Sequence, residues 1–351
     1  MIITAEAGTK MDNILDLTYA TDGYRGYGGS DSKKSVFFEG DYYMVKFSEE
    51  KIKRTSIETS ESNSIFSEYI GSHISQSMGL PTHETKLAII GDEPAVACKD
   101  FKPKGKNILE FDWFMKNVYR KSEIGRIPSH NQIYETIDNT RLSLIKDEAI
   151  KRYWDTFILD SLIGNFDRHK GNWGYLADEV TGTIELAPIY DCGSSLYPSL
   201  SEKAFDKILS NQEEIMMRMH AFPKAALNKN SDVHKIDKYG YLELIGSGID
   251  KNCTDALIRM YPKIDMNRIS DIIDNTPMIS ENRKHFYKEM ISYRKELILD
   301  KAIEQCIDNE KKNIGLFTPL HEKETVLKRI ESLNQLSQKT KEPSKNIIQS
   351  R

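Results

Sequence analysis

The feature that most restricts how this chain can fold is a long apolar helix followed by two short polar loops. Residues 148–163 carry apolar side chains at helical spacing, at Ile150, Tyr153, Trp154, Phe157, Ile158 and Leu162, which predicts a buried central helix. The segment GNFDRHKGNWGYL comes directly after it, and the strand-like run TIELAPIY then leads into the tripeptide DCG at residues 191–193. The sequence therefore predicts a helix, a loop, a hairpin and a second loop as one unit.

The two loops hold polar side chains at the spacing that phosphoryl transfer uses. Asp167 precedes Asn172 by five residues, the interval between the base and the magnesium-binding asparagine in the kinase pattern HRDLxxxN. Asp191 stands where the aspartate of a DFG motif would stand. A single Asp–Asn pair is usually a turn, but the ordered set favours a nucleotide site. We predict Asp167 as the catalytic base, Asn172 and Asp191 as Mg²⁺ ligands, and ATP as the phosphoryl donor.

His169 lies in the same loop, and its part in the site has several interpretations. The imidazole can support a metal ligand, contact a phosphate, or hold the loop through a hydrogen bond to the backbone. We include His169 among the predicted cofactor-binding residues, with all three roles open.

Lys46 is the predicted phosphate lysine. It lies in the strand-like run YYMVKF, after a glycine-rich turn, as the β3 lysine of kinases does. Because side chains alternate along a strand, Lys46 can face inward while its apolar neighbours face the other side. Glu68, on an amphipathic helix predicted over residues 61–78, is the expected ion-pair partner, with Glu58 and Glu61 as alternatives.

The turn before Lys46, GYRGYGGSDSKKS, has neither the GxGxxG pattern nor the spacing of a Walker loop. A plain hairpin tip is one interpretation of it. Its glycines could also let backbone N–H groups approach an anion, while its hydroxyl and ammonium groups bind phosphate. The residues predicted to hold the nucleotide phosphates here are Gly28, Gly29, Ser30, Ser32 and Lys33.

A further prediction concerns the place where the chain would cross between two lobes. The apolar strand AVAC ends at Lys99 and Asp100. A backbone segment at such a crossing can meet the edge of an adenine, and a carboxylate there can bind a ribose hydroxyl. We therefore assign Ala97 and Lys99 to the adenine contact and Asp100 to the ribose.

The order of elements predicts an α+β, two-lobed, protein-kinase-like fold. Strands around residues 20–50, 85–90 and 94–101, with one helix, form a small and mostly antiparallel N-terminal lobe over residues 1–100. A larger helical lobe follows over residues 101–310, with helices expected around 210–220, 253–260, 266–274 and 281–306. Residues 311–351 form an extension that lacks periodicity from about 335, so we expect partial disorder there.

Charge and cysteine usage exclude several classes of partner and compartment. The 49 basic and 53 acidic residues give a formal charge of −4, which offers no electrostatic reason for a nucleic-acid partner. The sequence contains no apolar stretch of 18 residues, so it predicts no membrane span. Four dispersed cysteines predict neither a disulfide framework nor a zinc site. A reducing bacterial cytoplasm is the simplest setting, with export by a leaderless route left open.

The chain resembles the HipA-like kinases, and most closely their CtkA-type branch. The resemblance rests on the segments FSEYIGSHISQSMGL, AVACKDF, DTFILDSLIGNFDRHKGNWGYL, LAPIYDCGSSLYP and YPKIDMNRISDIIDNTP, within residues 22–300. It implies the same fold, Mg-ATP, and the same roles for Lys46, Asp167, Asn172 and Asp191. It also implies autophosphorylation, for which the candidates are Ser30, Ser32 and Ser35. HipA toxins pair with a DNA-binding antitoxin, a role that we do not extend to this chain.

The sequence thus predicts a serine/threonine protein kinase that acts on an unidentified protein. A lipid or small-molecule kinase would use the same nucleotide site with a different acceptor groove. A pseudokinase that binds nucleotide without turnover is the third alternative. Any antitoxin or regulator is left unassigned.

Overall fold

The computed structural model describes residues 14–26, 33–48, 63–230, 232, 234–313 and 320–341. The predicted α+β class is confirmed. A six-stranded sheet occupies the N-terminal part of the chain, a second sheet of three strands follows, and helices form the rest. The largest hydrophobic cluster lies among the helices, while two smaller clusters cover the two faces of the first sheet.

The first sheet carries Lys46 on its fourth strand. Its spatial order is β1-β5-β6-β4-β3-β2, and every pair is antiparallel except β1 with β5. Residues Glu39 and Gly40 join β3 to β4 and both have positive φ, as a tight two-residue hairpin turn requires. The strands are β1 (Ile14–Asp16), β2 (Thr21–Asp22), β3 (Lys33–Phe38), β4 (Asp41–Phe47), β5 (Thr85–Ile90) and β6 (Glu93–Lys99).

Helix α1 (Ser64–Ser77) packs on one face of this sheet. Its residues Ile65 and Phe66 form a cluster with Leu87, Val96 and Cys98 of the sheet. Val45 is buried in the cluster on the opposite face, so the alternation along β4 turns Lys46 toward α1. The packing of α1 therefore places a helix side chain beneath the lysine.

The second sheet and the central helix flank the loop that carries Asp167 and Asn172. The sheet has the order β7-β8-β9, with β7 (Lys106–Glu110), β8 (Gly174–Asp178) and β9 (Ile184–Leu186). Helices α2 (Phe111–Val118) and α3 (His130–Asp138) precede α4 (Lys146–Ile163), which is the predicted central helix and is buried over its second half. Gly164 ends α4 at φ +68°, a left-handed cap that glycine adopts without strain.

The remaining helices agree with the sequence periodicity up to residue 306. A π-helical segment, Lys295–Asp300, connects two of them without a break. None of the helices in the described part of the chain is long and apolar enough to span a membrane. Their bounds are α5 (Phe205–Leu209), α6 (Gln212–His220), α7 (Tyr241–Ser247), α8 (Lys251–Met260), α9 (Met266–Asp274), α10 (Glu281–Arg294), α11 (Lys301–Asn313) and α12 (Leu320–Lys341).

Partial disorder was expected from about residue 335 onward. This expectation is wrong for the residues up to Lys341, because they belong to α12. This helix packs on α8 and α11 and buries Val326, Ile330, Leu333 and Leu336. These side chains recur every three or four residues, as one face of a helix requires, but the lysines, glutamines and serines between them obscured the pattern. Residues 314–319 and 342–351 lie outside the described residues. The proposed domain limits at 100 and 310 stay predictions.

Truncation of Leu333 tests whether α12 belongs to the folded core. Its side chain is fully buried, so Leu333→Ala should lower the free energy of unfolding by about 2–4 kcal/mol through lost contacts and a cavity. Urea denaturation monitored by circular dichroism measures the change. Lys328→Ala, on the exposed face of the same helix, is the control and should change stability by less than about 0.5 kcal/mol. Equal midpoints for the two variants would contradict the docking of α12.

Candidate active site

A cleft of about 900 Å³ opens between the first sheet and the loops that follow α4. Most of the side chains predicted to carry the chemistry line it, although they come from distant parts of the chain. These are Lys46 from β4, Glu68 from α1, Asp167, His169 and Asn172 from the loop after α4, and Asp191 from the DCG loop. The structure thus brings the predicted residues into one site.

The Lys46 ammonium is the centre of the site. Its Nζ lies 2.8 Å from Oε2 of Glu68 and 2.9 Å from Oδ1 of Asp191. Burial alone would lower the pKa of this ammonium, but the two carboxylates outweigh that effect and hold the pKa well above its ordinary value. Lys46 is therefore charged at every physiological pH and can attract phosphate.

Glu68 is held at both of its carboxylate oxygens. Oε2 binds Lys46, while Oε1 accepts hydrogen bonds from His83 Nε2 at 3.0 Å and from the Cys192 backbone N–H at 3.1 Å. Burial alone would raise the pKa of this fully buried carboxyl, but Lys46 and His83 hold it well below its usual range. Glu68 therefore connects α1, β4 and the DCG loop. The alternatives Glu58 and Glu61 lie outside the described residues.

His83 was missed by the sequence analysis, and so was the cluster to which it belongs. One ligand atom each from Glu68, His83 and Cys98 lie within 4.8 Å of one another, an arrangement that can in principle hold a metal ion. The Lys46 ammonium beside Glu68 opposes a second cation there. Burial also raises the pKa of the Cys98 thiol far above its usual value, which disfavours the thiolate that a metal needs. The cluster is better understood as a support for Glu68.

A second buried ion pair fixes the loop after α4. Arg168 donates to Asp160 of α4 through Nε at 3.0 Å and Nη2 at 3.1 Å. Its Nη1 donates to the carbonyl oxygen of Asn172 at 3.0 Å and also to that of Tyr190. One guanidinium therefore connects the central helix with both predicted catalytic loops, which keeps their spacing constant.

Asp167 and Asn172 face each other across the turn of this loop. Asn172 Nδ2 donates to the Asp167 carbonyl oxygen at 2.8 Å, which leaves the amide oxygen as the Asn172 atom able to bind a metal. The Asp167 carboxylate is about one-third exposed and forms an ion pair with Arg126, Nη2 to Oδ1 3.1 Å. Arg126 was also missed by the sequence analysis.

His169 makes one of the three contacts that the sequence left open. Its Nδ1 accepts a hydrogen bond from the Gly171 backbone N–H at 3.0 Å, so the imidazole holds the loop and carries its proton on Nε2 when neutral. The ring also lines the cleft. A phosphate contact through Nε2 is compatible with this arrangement.

Asp191 has an unusual backbone conformation. Its φ is +61°, a left-handed value that costs a non-glycine residue of the order of 1–3 kcal/mol and tends to occur at functional sites. The carboxylate is held by Lys46 and remains about one-third exposed to the cleft. Strain in the DCG loop is thus associated with a carboxylate that faces the cleft, as a metal ligand must.

The predicted adenine and ribose contacts are corrected in part. Ala97 does not line the cleft, because it lies mid-strand in β6 between β4 and β5 and packs on the opposite face. Lys99 lines the cleft but pairs its ammonium with Asp41 at 2.6 Å. Asp100 also lines it, and its carboxylate accepts from Arg25 and from the Lys102 N–H. Neither side chain is shown to meet a nucleotide.

Aromatic and apolar side chains form a slot in the cleft that the sequence analysis did not identify. Phe101 stacks on Tyr190 with ring centroids 5.7 Å apart, and both line the cleft with Met44, Cys98 and Ile108. The planar faces and the apolar walls suit a flat base. These residues carried no local motif, because they come together only through the fold.

Residues 27–32 of the glycine-rich turn, which include Gly28, Gly29, Ser30 and Ser32, lie outside the described residues. Lys33 is described and lines the cleft, directly opposite Lys46 in the β3–β4 register. Ser35 is the candidate acceptor that the structure argues against. Its Oγ is buried beneath Gly23, so this hydroxyl is not accessible in the described conformation.

Replacement of Glu68 by glutamine tests the buried pair through stability. Removing one partner of a buried ion pair should cost about 3 kcal/mol at pH 7. Because the folded pKa of Glu68 is depressed below its ordinary 4.5, the charge stabilises the fold above that pH and loses its effect as pH falls through the folded value. The difference between wild type and Glu68→Gln should therefore shrink below pH 4.5.

Urea titrations at several pH values measure that difference. Glu84→Gln is the matched control, because Glu84 is half-exposed and pairs only loosely with Lys86 at 3.5 Å. Its effect should stay below about 0.5 kcal/mol at every pH. A Glu68→Gln effect as small as the control would mean that the pair contributes nothing.

Comparison with known proteins identifies a family and a relative for this chain. Residues 26–238 match the HipA-like C-terminal domain family. The serine/threonine-protein kinase CtkA of Helicobacter pylori is 38% identical over 286 residues, which is 81% of this chain and 86% of CtkA.

Two solved structures are also similar. A crystal structure of the H. pylori proinflammatory kinase CtkA gives a TM-score of 0.75 at 36% identity and covers 84% of this chain and 98% of that one. The HipA–HipB–operator DNA complex of Shewanella oneidensis gives 0.50 at 16% identity, with 82% and 68% covered, which supports the fold alone. The chain belongs to the HipA-like kinase family, with CtkA as a similar member.

Proposed function

We propose that this protein is an ATP-dependent serine/threonine protein kinase of the HipA-like type. The observation that carries the proposal is the Lys46 ammonium, held by Glu68 and Asp191 in the same cleft as Asp167 and Asn172. The 38% identity to a serine/threonine kinase over most of both chains supports it. A protein hydroxyl is accordingly the proposed acceptor.

The cleft has the donors and acceptors that Mg-ATP needs. The Asp191 carboxylate and the Asn172 amide oxygen would hold Mg²⁺, which prefers oxygen ligands and shares its shell with phosphates and water. Lys46 would bind the phosphates, with Lys33 across the hairpin as a second cation. The slot of Phe101 and Tyr190 would receive the adenine. Bound ATP would supply the phosphoryl group, and Mg²⁺ would neutralise part of the negative charge on the phosphates.

Asp167 acts on the acceptor. Its carboxylate would orient the incoming serine or threonine hydroxyl and accept the proton that this hydroxyl loses as its oxygen bonds to the γ-phosphorus of ATP and ADP leaves with the bridging oxygen. Arg168 keeps this loop in register with the DCG loop, and Asn172 holds the Asp167 backbone. The protein therefore contributes position and charge rather than a covalent intermediate.

Autophosphorylation and location are also part of the proposal. With the Ser35 hydroxyl buried, Ser30 and Ser32 are the proposed acceptors within the chain. The four cysteines are buried free thiols, which supports a reducing compartment such as the bacterial cytoplasm.

Asp167→Asn tests the catalytic assignment. The amide keeps the shape but accepts no proton, so transfer of label from γ-labelled ATP to the protein itself or to a generic protein acceptor should fall by at least about a hundredfold. Asp271→Asn, at an exposed position on α9, is the control and should retain wild-type labelling. Equal labelling of wild type and Asp167→Asn would overturn the assignment, and absence of label from both would favour a scaffold.

Asp191→Asn tests the metal and nucleotide assignment separately. A ligand that binds only the folded state stabilises it by RT ln(1+[L]/Kd), about 2.7 kcal/mol at a hundred times Kd. ATP with Mg²⁺ should therefore raise the melting temperature of the wild type by several degrees. The variant should lose the part of this shift that chelation of Mg²⁺ by EDTA abolishes in the wild type. A Mg²⁺-dependent shift that survives in Asp191→Asn would exclude this residue as the ligand.

A further inference from the structure

Two cations approach Asp167 from outside the nucleotide cleft. Arg126 lies 3.1 Å from the Asp167 carboxylate, and Lys238 is close enough to interact with both Asp167 and Arg126 electrostatically. Asp167 lines the cleft, whereas Arg126 and Lys238 do not. These cations are therefore placed on the acceptor side of the catalytic base rather than on the ATP side.

A bridged backbone holds the two cations in place. The Asn228 N–H donates to the Pro128 carbonyl oxygen at 2.9 Å, which connects the segment after Arg126 to residues 225–229. Tyr239 N–H donates to the Leu227 carbonyl oxygen at 3.1 Å, which connects the same residues to the segment that carries Lys238. Arg126 and Lys238 thus come from two segments that are both hydrogen-bonded to residues 225–229, with the buried Asn228 at the centre.

The two cations differ in how much they are committed to Asp167. The Arg126 side chain is 71% exposed, so its ion pair is weak and can exchange for another anion. Lys238 is half-buried, and burial lowers the pKa of its ammonium below the ordinary value, with Asp167 acting in the opposite direction and Arg126 in the same one. Among the described residues no carboxylate forms an ion pair with Lys238. The positive charges of Arg126 and Lys238 would therefore stabilise an additional carboxylate placed between these two side chains.

An apolar surface lies next to these charges. Phe166, the residue before Asp167, packs against Phe222 with ring centroids 5.4 Å apart. Phe222 is 46% exposed although it is a large aromatic residue. Phe222 therefore offers an exposed aromatic face against which an apolar side chain of a bound segment can pack.

We infer that Arg126, Lys238 and the Phe166–Phe222 pair form the acceptor-binding surface, which selects a serine or threonine flanked by acidic and apolar side chains. The inference rests on the proposed function. Arg126 occupies Oδ1 of the Asp167 carboxylate, one of the two oxygens that an acceptor hydroxyl can approach. An aspartate or glutamate beside the acceptor provides the replacement partner, so binding of the right segment and release of the base occur together.

The experiment compares three peptides that share one serine and one flanking leucine but carry glutamate, glutamine or lysine at the other flanking positions. With wild type, kcat/KM should be at least about tenfold higher for the glutamate peptide than for the lysine peptide. Arg126→Glu and Lys238→Gln should reduce this preference about fivefold or more, through the peptide KM and without a change in the ATP KM. Lys263→Glu, at an exposed position in the 3-10 helix Tyr261–Lys263, is the control with the same change of charge as Arg126→Glu.

The outcomes separate this inference from the proposed function. If no peptide is labelled and the protein does not label itself, the proposed function fails. If all three peptides are labelled equally by wild type, the inference fails while the kinase assignment stands. If Arg126→Glu lowers kcat equally for every peptide, Arg126 acts on the transferring phosphoryl group, which also overturns the inference. The wild-type preference needs no variant, so misfolding of a variant leaves the test intact.

Discussion

The rest of the site depends on the buried carboxylate of Glu68. A charge without contact to water is costly unless every lone pair has a partner, and Glu68 finds its partners on three separate elements. Lys46 comes from the sheet, His83 from the segment before β5, and the Cys192 N–H from the DCG loop. Because losing any one of them leaves a buried charge undercompensated, the positions of helix, sheet and loop are coupled. The nucleotide side of the cleft is therefore fixed as a unit.

The ion pair of Arg168 with Asp160 does the same for the loop after α4 and the DCG loop. Its guanidinium reaches the carbonyl oxygen of Asn172, which is one predicted metal ligand, and that of Tyr190, which precedes the other ligand, Asp191. The two buried ion pairs meet at the DCG loop, where Glu68 binds Cys192 and Arg168 binds the residue before Asp191. This tight support offsets the left-handed conformation of Asp191. Preorganisation of this kind is what phosphoryl transfer requires of a protein.

The sequence predicted those features whose signal is local. Asp167, Asn172 and Asp191 stand at fixed short spacings, and Lys46 follows from strand alternation, so each could be assigned before the fold was known. His83, Arg126, Phe101 and Arg25 carry no such spacing, because only tertiary contacts bring them to the site. For Ala97 the predicted adenine contact was through the backbone, which β4 and β5 flank on both sides. Helix α12 was missed because its apolar residues are diluted by polar ones.

The acceptor side differs from the nucleotide side in a way that follows from burial. The Lys46–Glu68 pair is withdrawn from water, so solvent and salt weaken its attraction little. The pair of Arg126 with Asp167 is exposed on the arginine side, where ion pairs contribute only about 0–1 kcal/mol. A weak pair suits a catalytic base, since its partner can yield Oδ1 to an incoming hydroxyl. The same charge that holds Asp167 in the free protein is then available to bind an acidic acceptor.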